Sequence, residues 1–288
     1  FEDNDNRAST LKDAFILGQT WQNTVNWIER LSKITKQEVM AFAKKNYADN
    51  YVVVYKHTGE DKNVMKVVKP AITPVQVNRD NQSDFVKMIA NSNPKNIEPV
   101  FIDYKKDIKN FTVKNGIQVY YNENTENKTF NLYYVFDMGT NNERKYGIAI
   151  DYLSYLGTSK YTPAELKQEF YKIGCSFGVS NSVDQVHVSL SGLTENFEKG
   201  IKLFEHLLTD AQPNREALTN LVSDLMKGRA DAKLSKQTIL NRAMYNYAVY
   251  GAKNPFTNIL SETELKNIKP EELVALIREL NSYEHHIL

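Results

Sequence analysis

The sequence predicts an α+β fold over residues 100 to 288, an antiparallel sheet covered on one face by helices, preceded by a helix-strand tail and a long linker. Three observations predict it. Asn115-Gly116 lies between the alternating runs Phe111-Thr112-Val113 and Ile117-Gln118-Val119-Tyr120, the strongest short-range signal for a β-hairpin. Residues 130 to 136, 175 to 180 and 185 to 191 add strand-like runs, the last placing Val186, Val188 and Leu190 on one face. The strands come in hairpin order with the long helical segments grouped after them, which favours a layered α+β arrangement over a parallel sheet.

Taken in order, residues 8 to 31 carry Leu11, Phe15, Ile16, Trp21, Val25 and Ile28 at helical spacing, interrupted near Gly18. Thr35 is placed to cap the next helix and Glu38 to complete a capping box, after which Val39, Phe42 and Ala43 supply a buried face. Tyr51-Val52-Val53-Val54-Tyr55 reads as a buried strand. Residues 59 to 99 change character, with Lys62, Lys66 and Lys69 followed by Pro70, Pro74, Pro94 and Pro99 among several asparagines, and one short helical stretch near 83 to 89. Loops above about 15 residues are uncommon inside compact domains, so this stretch is expected to join separate modules. The predicted organisation is a tail of a preceding domain at 1 to 58, a linker at 59 to 99, and an α+β domain at 100 to 288.

Within that domain, helices are expected at 146 to 156 and at 163 to 173, the second with Thr162 as cap, Pro163 at its first position, Glu165 closing the box and Gly174 as stop. Further helices follow at 195 to 209, 214 to 234, 236 to 250, 262 to 267 behind Ser261, and 270 to 280. One internal echo is visible. Ile34-Thr35-Lys36-Gln37-Glu38-Val39-Met40-Ala41-Phe42, with Tyr51 beyond it, is similar to Ile268-Lys269-Pro270-Glu271-Glu272-Leu273-Val274-Ala275-Leu276, with Tyr283 beyond it, and both read as a helix followed by a strand.

Composition excludes several function classes. Lys plus Arg number 36 against 35 Asp plus Glu, a formal charge of +1, so no field concentrates polyanions and no nucleic-acid partner is expected. Lys105, Lys106 and Lys109 cluster without a glycine-rich loop and read as a solvated loop or strand edge. Cys175 is the sole cysteine, which rules out an internal disulfide and a thiolate metal cluster and leaves it as a small buried hydrophobe. No apolar run approaches the roughly 20 residues that span a bilayer, so a soluble chain without a membrane partner is expected. The chain opens Phe1-Glu2-Asp3 without an initiator methionine and stops at His286-Ile287-Leu288 in a strand-like run, the pattern expected of a piece of a longer protein. A signal peptide on the parent, and with it a periplasmic or exported location, stays open.

The search for chemistry returns no catalytic residue and no metal ligand. His57, His187, His206, His285 and His286 include no i, i+4 pair on one helix and no H-E-x-x-H or H-x-x-E-H, whereas zinc needs three or four convergent ligands. His187 between Val186 and Val188 should face away from the buried side of the sheet, and His285 and His286 fall on opposite faces of a strand. G-x-S-x-G, G-x-x-x-x-G-K-[ST] and G-x-G-x-x-G are absent. Tyr152 with Tyr155, and Tyr247 with Tyr250, stand at helical spacing and read as core and layer contacts.

Residues 148 to 161, Ile-Ala-Ile-Asp-Tyr-Leu-Ser-Tyr-Leu-Gly-Thr-Ser-Lys-Tyr, resemble the motif region of the pitrilysin/insulinase zinc metallopeptidases, the inverzincins. In that family a helix carrying H-x-x-E-H runs into Gly-Thr-x-x-Tyr. Gly139-Thr140-Asn141-Asn142-Glu143 looks like the family's turn of glycine, a small residue and glutamate. The resemblance covers residues 100 to 288, and the whole chain if 59 to 99 is a linker. Its Gly-Thr-x-x-Tyr end is intact and its metal end is not. Counting back without gaps from Gly157-Thr158, the first zinc histidine falls on Ile148, the glutamate base on Asp151 and the second histidine on Tyr152. The third ligand, a glutamate on a later helix, would fall within 214 to 234, where Glu216, Asp224 and Asp231 are the carboxylates and none is assigned.

The resemblance therefore implies a non-catalytic segment of a zinc metalloendopeptidase that cleaves peptides in a two-half chamber. This segment would form chamber wall, zinc would sit in the parent's catalytic half, and the partners would be that half and its peptide substrates. The alternative is a structural or binding protein of the same fold with chemistry lost in both halves.

Overall fold

Capping boxes at Thr35, Thr162 and Ser261 start three helices where the sequence implies. The computed structural model describes residues 3–59 and 62–288, and the chain divides into two units, Phe1–Pro99 and Val100–Leu288. Phe1 and Glu2, where the chain opens, and Glu60 and Asp61 in the linker stretch lie outside the described residues.

In the first unit, α1 (Asn4–Ile16) begins at Asp3, whose carboxylate accepts the Asn6 N–H at 2.7 Å. After the break at Gly18 come α2 (Trp21–Val25) and α3 (Trp27–Ser32). Helix α4 (Lys36–Asn46) carries the complete capping box, with the Glu38 N–H donating to Thr35 Oγ1 at 3.2 Å and the Thr35 N–H to Glu38 Oε2 at 2.7 Å. Helix α5 (Asp84–Ala90) starts at Ser83.

Two expectations fail in this unit. Tyr51-Val52-Val53-Val54-Tyr55 forms no strand, and Val52 and Val54 stand 91% and 87% exposed. A strand exists only through ladder hydrogen bonds to a neighbour, and no strand occurs among the described residues of Phe1–Pro99. Val39 and Phe42 are likewise exposed rather than buried, and Ala14 is the one buried hydrophobic residue described in the unit. Correct local patterning here meets no cover among the described residues of this unit.

The second unit begins with β1 (Lys109–Thr112) and β2 (Gln118–Tyr121), antiparallel as the hairpin signal requires. Their connection is a 3₁₀ turn, Lys114–Gly116, rather than a two-residue turn, and it closes because Gly116 takes a φ of 81° that a side chain would resist. There follow β3 (Thr129–Phe136), α6 (Tyr146–Leu153), α7 (Pro163–Lys172), β4 (Cys175–Asn181), β5 (Val186–Leu193), α8 (Phe197–Asp210) and α9 (Arg215–Leu234). Next come α10 (Lys236–Thr238), a π-helical stretch (Ile239–Met244), α11 (Tyr245–Tyr250), α12 (Glu262–Asn267), α13 (Pro270–Glu279) and β6 (His285–Ile287).

The sheet order is β1-β2-β6-β3-β5-β4, and every neighbouring pair is antiparallel except β2 with β6. That parallel pair departs from the purely antiparallel sheet expected, because β6 arrives by way of α13 and not by a hairpin turn. Val186, Val188 and Leu190 on β5 are fully buried while the alternate residues His187, Ser189 and Ser191 are half-buried, so the helices cover one face. The core formed there takes in Phe136, Tyr152, Leu166, Phe204 and Leu273. Cys175 is buried in it.

Helix α6 stops at Leu153 instead of residue 156 because its exit tightens, the N–H groups of Tyr155 and Leu156 bonding three residues back to Tyr152 and Leu153 at 2.9 and 3.2 Å. Tyr155, Tyr247 and Tyr250 are exposed, contrary to the core reading, whereas Tyr152 is fully buried. Leu190→Ala should lower unfolding stability by about 2–5 kcal/mol, the range for truncating a buried leucine. A denaturant titration whose midpoint does not move would disprove the assigned face of β5.

Candidate functional site

Helix α6 is apolar except at Asp151 and accordingly interior. Tyr146, Ile148, Ala149, Ile150, Tyr152 and Leu153 are all buried, and Asp151 is its exposed residue. Ile148 and Tyr152 stand one turn apart on one face, 4% and 0% exposed, and both belong to the core.

The turn that delivers α6 is tied to the loop after β4. The Thr140 N–H donates to the Ser182 carbonyl at 3.1 Å and the Asn141 N–H to that of Val183 at 2.8 Å. Glu143 accepts the Lys145 N–H at 2.9 Å. Arg144 pairs with Glu264 of α12 at 2.6 Å and Lys145 with Glu272 of α13 at 3.0 Å. These pairs are solvated and orient the helix more than they stabilise it. The Ser261 N–H and the Arg144 guanidinium together hold the Glu264 carboxyl well below its ordinary range.

The exit of α6 explains Gly157-Thr158-Ser159-Lys160-Tyr161 without reference to any metal. A Cβ on Gly157 would collide with the Tyr161 carbonyl oxygen and lie 2.9 Å from the Pro163 nitrogen, so only glycine lets the chain fold back there. Buried Thr158 Oγ1 accepts the N–H groups of Lys160 at 3.2 Å and Tyr161 at 3.1 Å, while the Thr158 N–H donates to the Tyr161 carbonyl at 2.8 Å. The Gln212 N–H donates to the Gly157 carbonyl at 3.0 Å and anchors the turn to the segment entering α9.

That segment holds a contact absent from the sequence reading. The Tyr152 hydroxyl donates to the Asn214 carbonyl at 2.6 Å and accepts the Asn214 N–H, also at 2.6 Å. Asn214 in turn caps α9, its Oδ1 accepting the Ala217 N–H at 3.1 Å. One phenol thus pins α6 to the start of α9. Nothing in the sequence signals it, because Tyr152 and Asn214 are 62 residues apart and Asn214 takes part through its backbone.

Zinc does not fit here. Ile148 offers no donor, the Tyr152 hydroxyl is taken by Asn214, and Glu216, Asp224 and Asp231 on α9 are all exposed. Among the described residues no group of three or more His, Cys, Asp and Glu is placed to hold a metal. His187 contacts Gln185 at 3.2 Å from the half-buried side of β5, and His206 Nε2 lies 3.7 Å from the Asp210 carboxylate, beyond hydrogen-bond reach. Partial burial pushes the Asp151 carboxyl up from its ordinary range.

A groove of about 940 Å³ runs between α9, the π-helical stretch and the loop before α12, lined by Leu225, Arg229, Ile239, Arg242 and Phe256 among others. The sequence does not disclose it, since its walls come from segments far apart in the chain.

No family model matches this sequence, and no curated protein matches it. Solved structures do. The peptidase M16 inactive domain from Pseudomonas fluorescens aligns with a TM-score of 0.52 and 17% identity over 59% of this chain and 42% of its own. The fold is that of an M16 peptidase inactive domain. Over 99% of this chain, the periplasmic protease PqqL from Escherichia coli aligns with a TM-score of 0.54 at 15% identity, and the ferredoxin protease FusC, in complex with Arabidopsis ferredoxin, with 0.54 at 14%. This chain spans less than half of each of those structures, 42% of the first and 34% of the other two. The M16 inactive-domain fold agrees with the α+β architecture and with the pitrilysin resemblance read from residues 139 to 161.

Within this M16 inactive-domain fold, two substitutions on α6 separate structural roles. Tyr152→Phe strands both backbone groups of Asn214 and should cost about 1–3 kcal/mol in chemical denaturation; an unchanged midpoint would show that water replaces the phenol. Asp151 has a folded pKa above its unfolded one, so its charge weakens the fold as pH rises through and beyond the ordinary carboxylate range. Asp151→Asn should therefore raise the melting temperature at pH 7, with a gain below about 0.5 kcal/mol for so exposed a group, and give no gain at pH 3. A gain equal at both pH values would contradict the assigned cause.

Proposed function

We propose that this chain is a non-catalytic segment of a pitrilysin-type zinc metalloendopeptidase, forming wall of a two-half chamber in which the catalytic half cleaves peptides. The observation that carries the reading is the Ile148 and Tyr152 face of α6, closed by core packing and by Asn214, in a fold shared with an M16 inactive domain. On this reading Ile148, Asp151 and Tyr152 are the degenerate counterparts of first ligand, base and second ligand. Zinc then belongs to the other half. Residues 1 to 58 are the tail of the first half, and 59 to 99 join it to the second.

The partners are the catalytic half and peptide or protein substrates. Support for that kind of partner comes from FusC, whose structure is a complex with ferredoxin. Among the described residues no helix is long and apolar enough to cross a membrane, and the periplasmic PqqL supports an exported location for the parent.

The test compares the 288-residue chain with the polypeptide as its gene encodes it. Metal analysis and cleavage of an unfolded peptide should find stoichiometric zinc and chelator-sensitive hydrolysis in the encoded polypeptide, and neither in the 288-residue chain. An encoded polypeptide without zinc and without hydrolysis would overturn the peptidase reading in favour of a binding protein of the same fold.

A further inference from the structure

The two edges of the sheet are built differently. Strand β1 is four residues long and opens on Lys109, which pairs with Glu123 at 3.7 Å. Charge and brevity are devices that keep a sheet edge from pairing with another chain. Strand β4, at the other edge, is seven residues long, Cys-Ser-Phe-Gly-Val-Ser-Asn, and carries neither charge nor proline.

The outer side of β4 is bare. The Ser182 N–H donates to the Gln185 carbonyl at 2.7 Å and the Leu193 N–H to the Gly174 carbonyl at 3.3 Å, so the even-numbered residues of this strand bond to β5. Antiparallel pairs alternate, which turns the N–H and C=O groups of Cys175, Phe177, Val179 and Asn181 away from β5. Among the described residues, the backbone groups of Phe177 and Val179 meet no other partner. Ser176, Gly178 and Ser180 are exposed on the open face. Phe177, whose ring lies 5.3 Å from that of Phe170 in α7, and Val179 stay half-buried on the helix-covered face. The strand also reads nearly the same in both directions about Gly178, with Ser176 matching Ser180 and Phe177 matching Val179.

We propose that two copies of this chain associate through their β4 edges, antiparallel, about a two-fold axis that passes through Gly178 normal to the sheet. In that register Gly178 lies opposite Gly178 of the second copy, Ser176 opposite Ser180, and Phe177 opposite Val179. The hydrogen-bonded pairs are then the odd-numbered residues, whose groups point outward. The pair on the axis is a non-hydrogen-bonded one, where two strands come closest, and glycine leaves that approach free. A two-fold normal to the sheet keeps the helices of both copies on one face, so Phe177 and Val179 of each copy cover those of the other and the serines align on the open face. A second copy is the occupant that matches apolar with apolar, hydroxyl with hydroxyl and glycine with glycine in a single register. An edge-to-edge contact is small for an interface, so the association is reversible and depends on concentration. It rests on β4 and not on zinc or cleavage, so this proposal and the peptidase reading can fail separately.

Sedimentation velocity of the 288-residue chain over a range of concentrations, together with disulfide trapping, tests it. The mass is expected to rise from monomer to dimer with concentration. Val179→Pro removes an outward N–H that β5 does not use, and should raise the dissociation constant at least about tenfold while the circular dichroism of the monomer is kept. Gly178→Cys should form an intermolecular disulfide on mild oxidation; its Cβ meets the Ser189 hydroxyl at 2.9 Å, a group free to turn aside. Ser180→Cys should not, because the two copies of residue 180 stand about 13 Å apart along the ladder, beyond the reach of a disulfide. A monomer at every concentration overturns the proposal. So does association that Val179→Pro leaves unchanged, or trapping of Ser180→Cys as fast as Gly178→Cys, either of which places the contact elsewhere. Slowed hydrogen exchange of the β4 amides on adding a synthetic Ser-Thr-Val-Thr-Val-Ser peptide, in a chain that stays monomeric, also overturns it and makes the occupant an extended peptide.

Discussion

The sheet of residues 100 to 288 is continuous only because β6 lies in its middle. Strand β2 pairs with β1 and β6 alone, and β3 reaches the β1–β2 hairpin only through β6. A three-residue strand at the far end of the sequence thus joins a local hairpin to the antiparallel strands β3, β5 and β4. Helix α13 delivers it and packs on α6 and the core on the way. Closing a sheet with such a distant strand carries a large loop entropy, offset by the burial of Leu273, Val274 and Ile277 on the helix that brings it.

Helix α6 is fixed inside this frame from three sides. Its entry is held by backbone hydrogen bonds to Ser182 and Val183 and by ion pairs to α12 and α13, its exit by the Gly157-Thr158 turn, and its middle by Tyr152 on Asn214. A metal site in such a place would need ligands facing an open space. Here that face of α6 is filled by an isoleucine and a phenol whose hydroxyl is already paired, so it serves packing. The Gly-Thr-x-x-Tyr turn has a reason of its own that is steric and backbone-directed.

Much of this was legible in the linear pattern. Capping boxes at Thr35, Thr162 and Ser261 marked helix starts, the alternation of Val186, Val188 and Leu190 marked the buried face, and residues 139 to 161 marked the family resemblance. Local chemistry acts over three or four residues, so it is visible in sequence. The reading failed where the outcome depended on a partner. Residues 51 to 55 look like a buried strand and are bare, and Tyr247 and Tyr250 look like layer contacts and are exposed.

The sequence by itself determined the capped helix starts at Thr35, Thr162 and Ser261, the buried face of β5, the α+β class and the absence of imidazoles at positions 148 and 152, because each follows from short-range periodicity or residue identity. Only the tertiary structure decided that β6 enters the sheet between β2 and β3, that β2 and β6 run parallel, and that Tyr152 bonds the backbone of Asn214. Those outcomes join residues far apart in the chain, and which distant groups meet is set by the packing of the whole core rather than by any local preference.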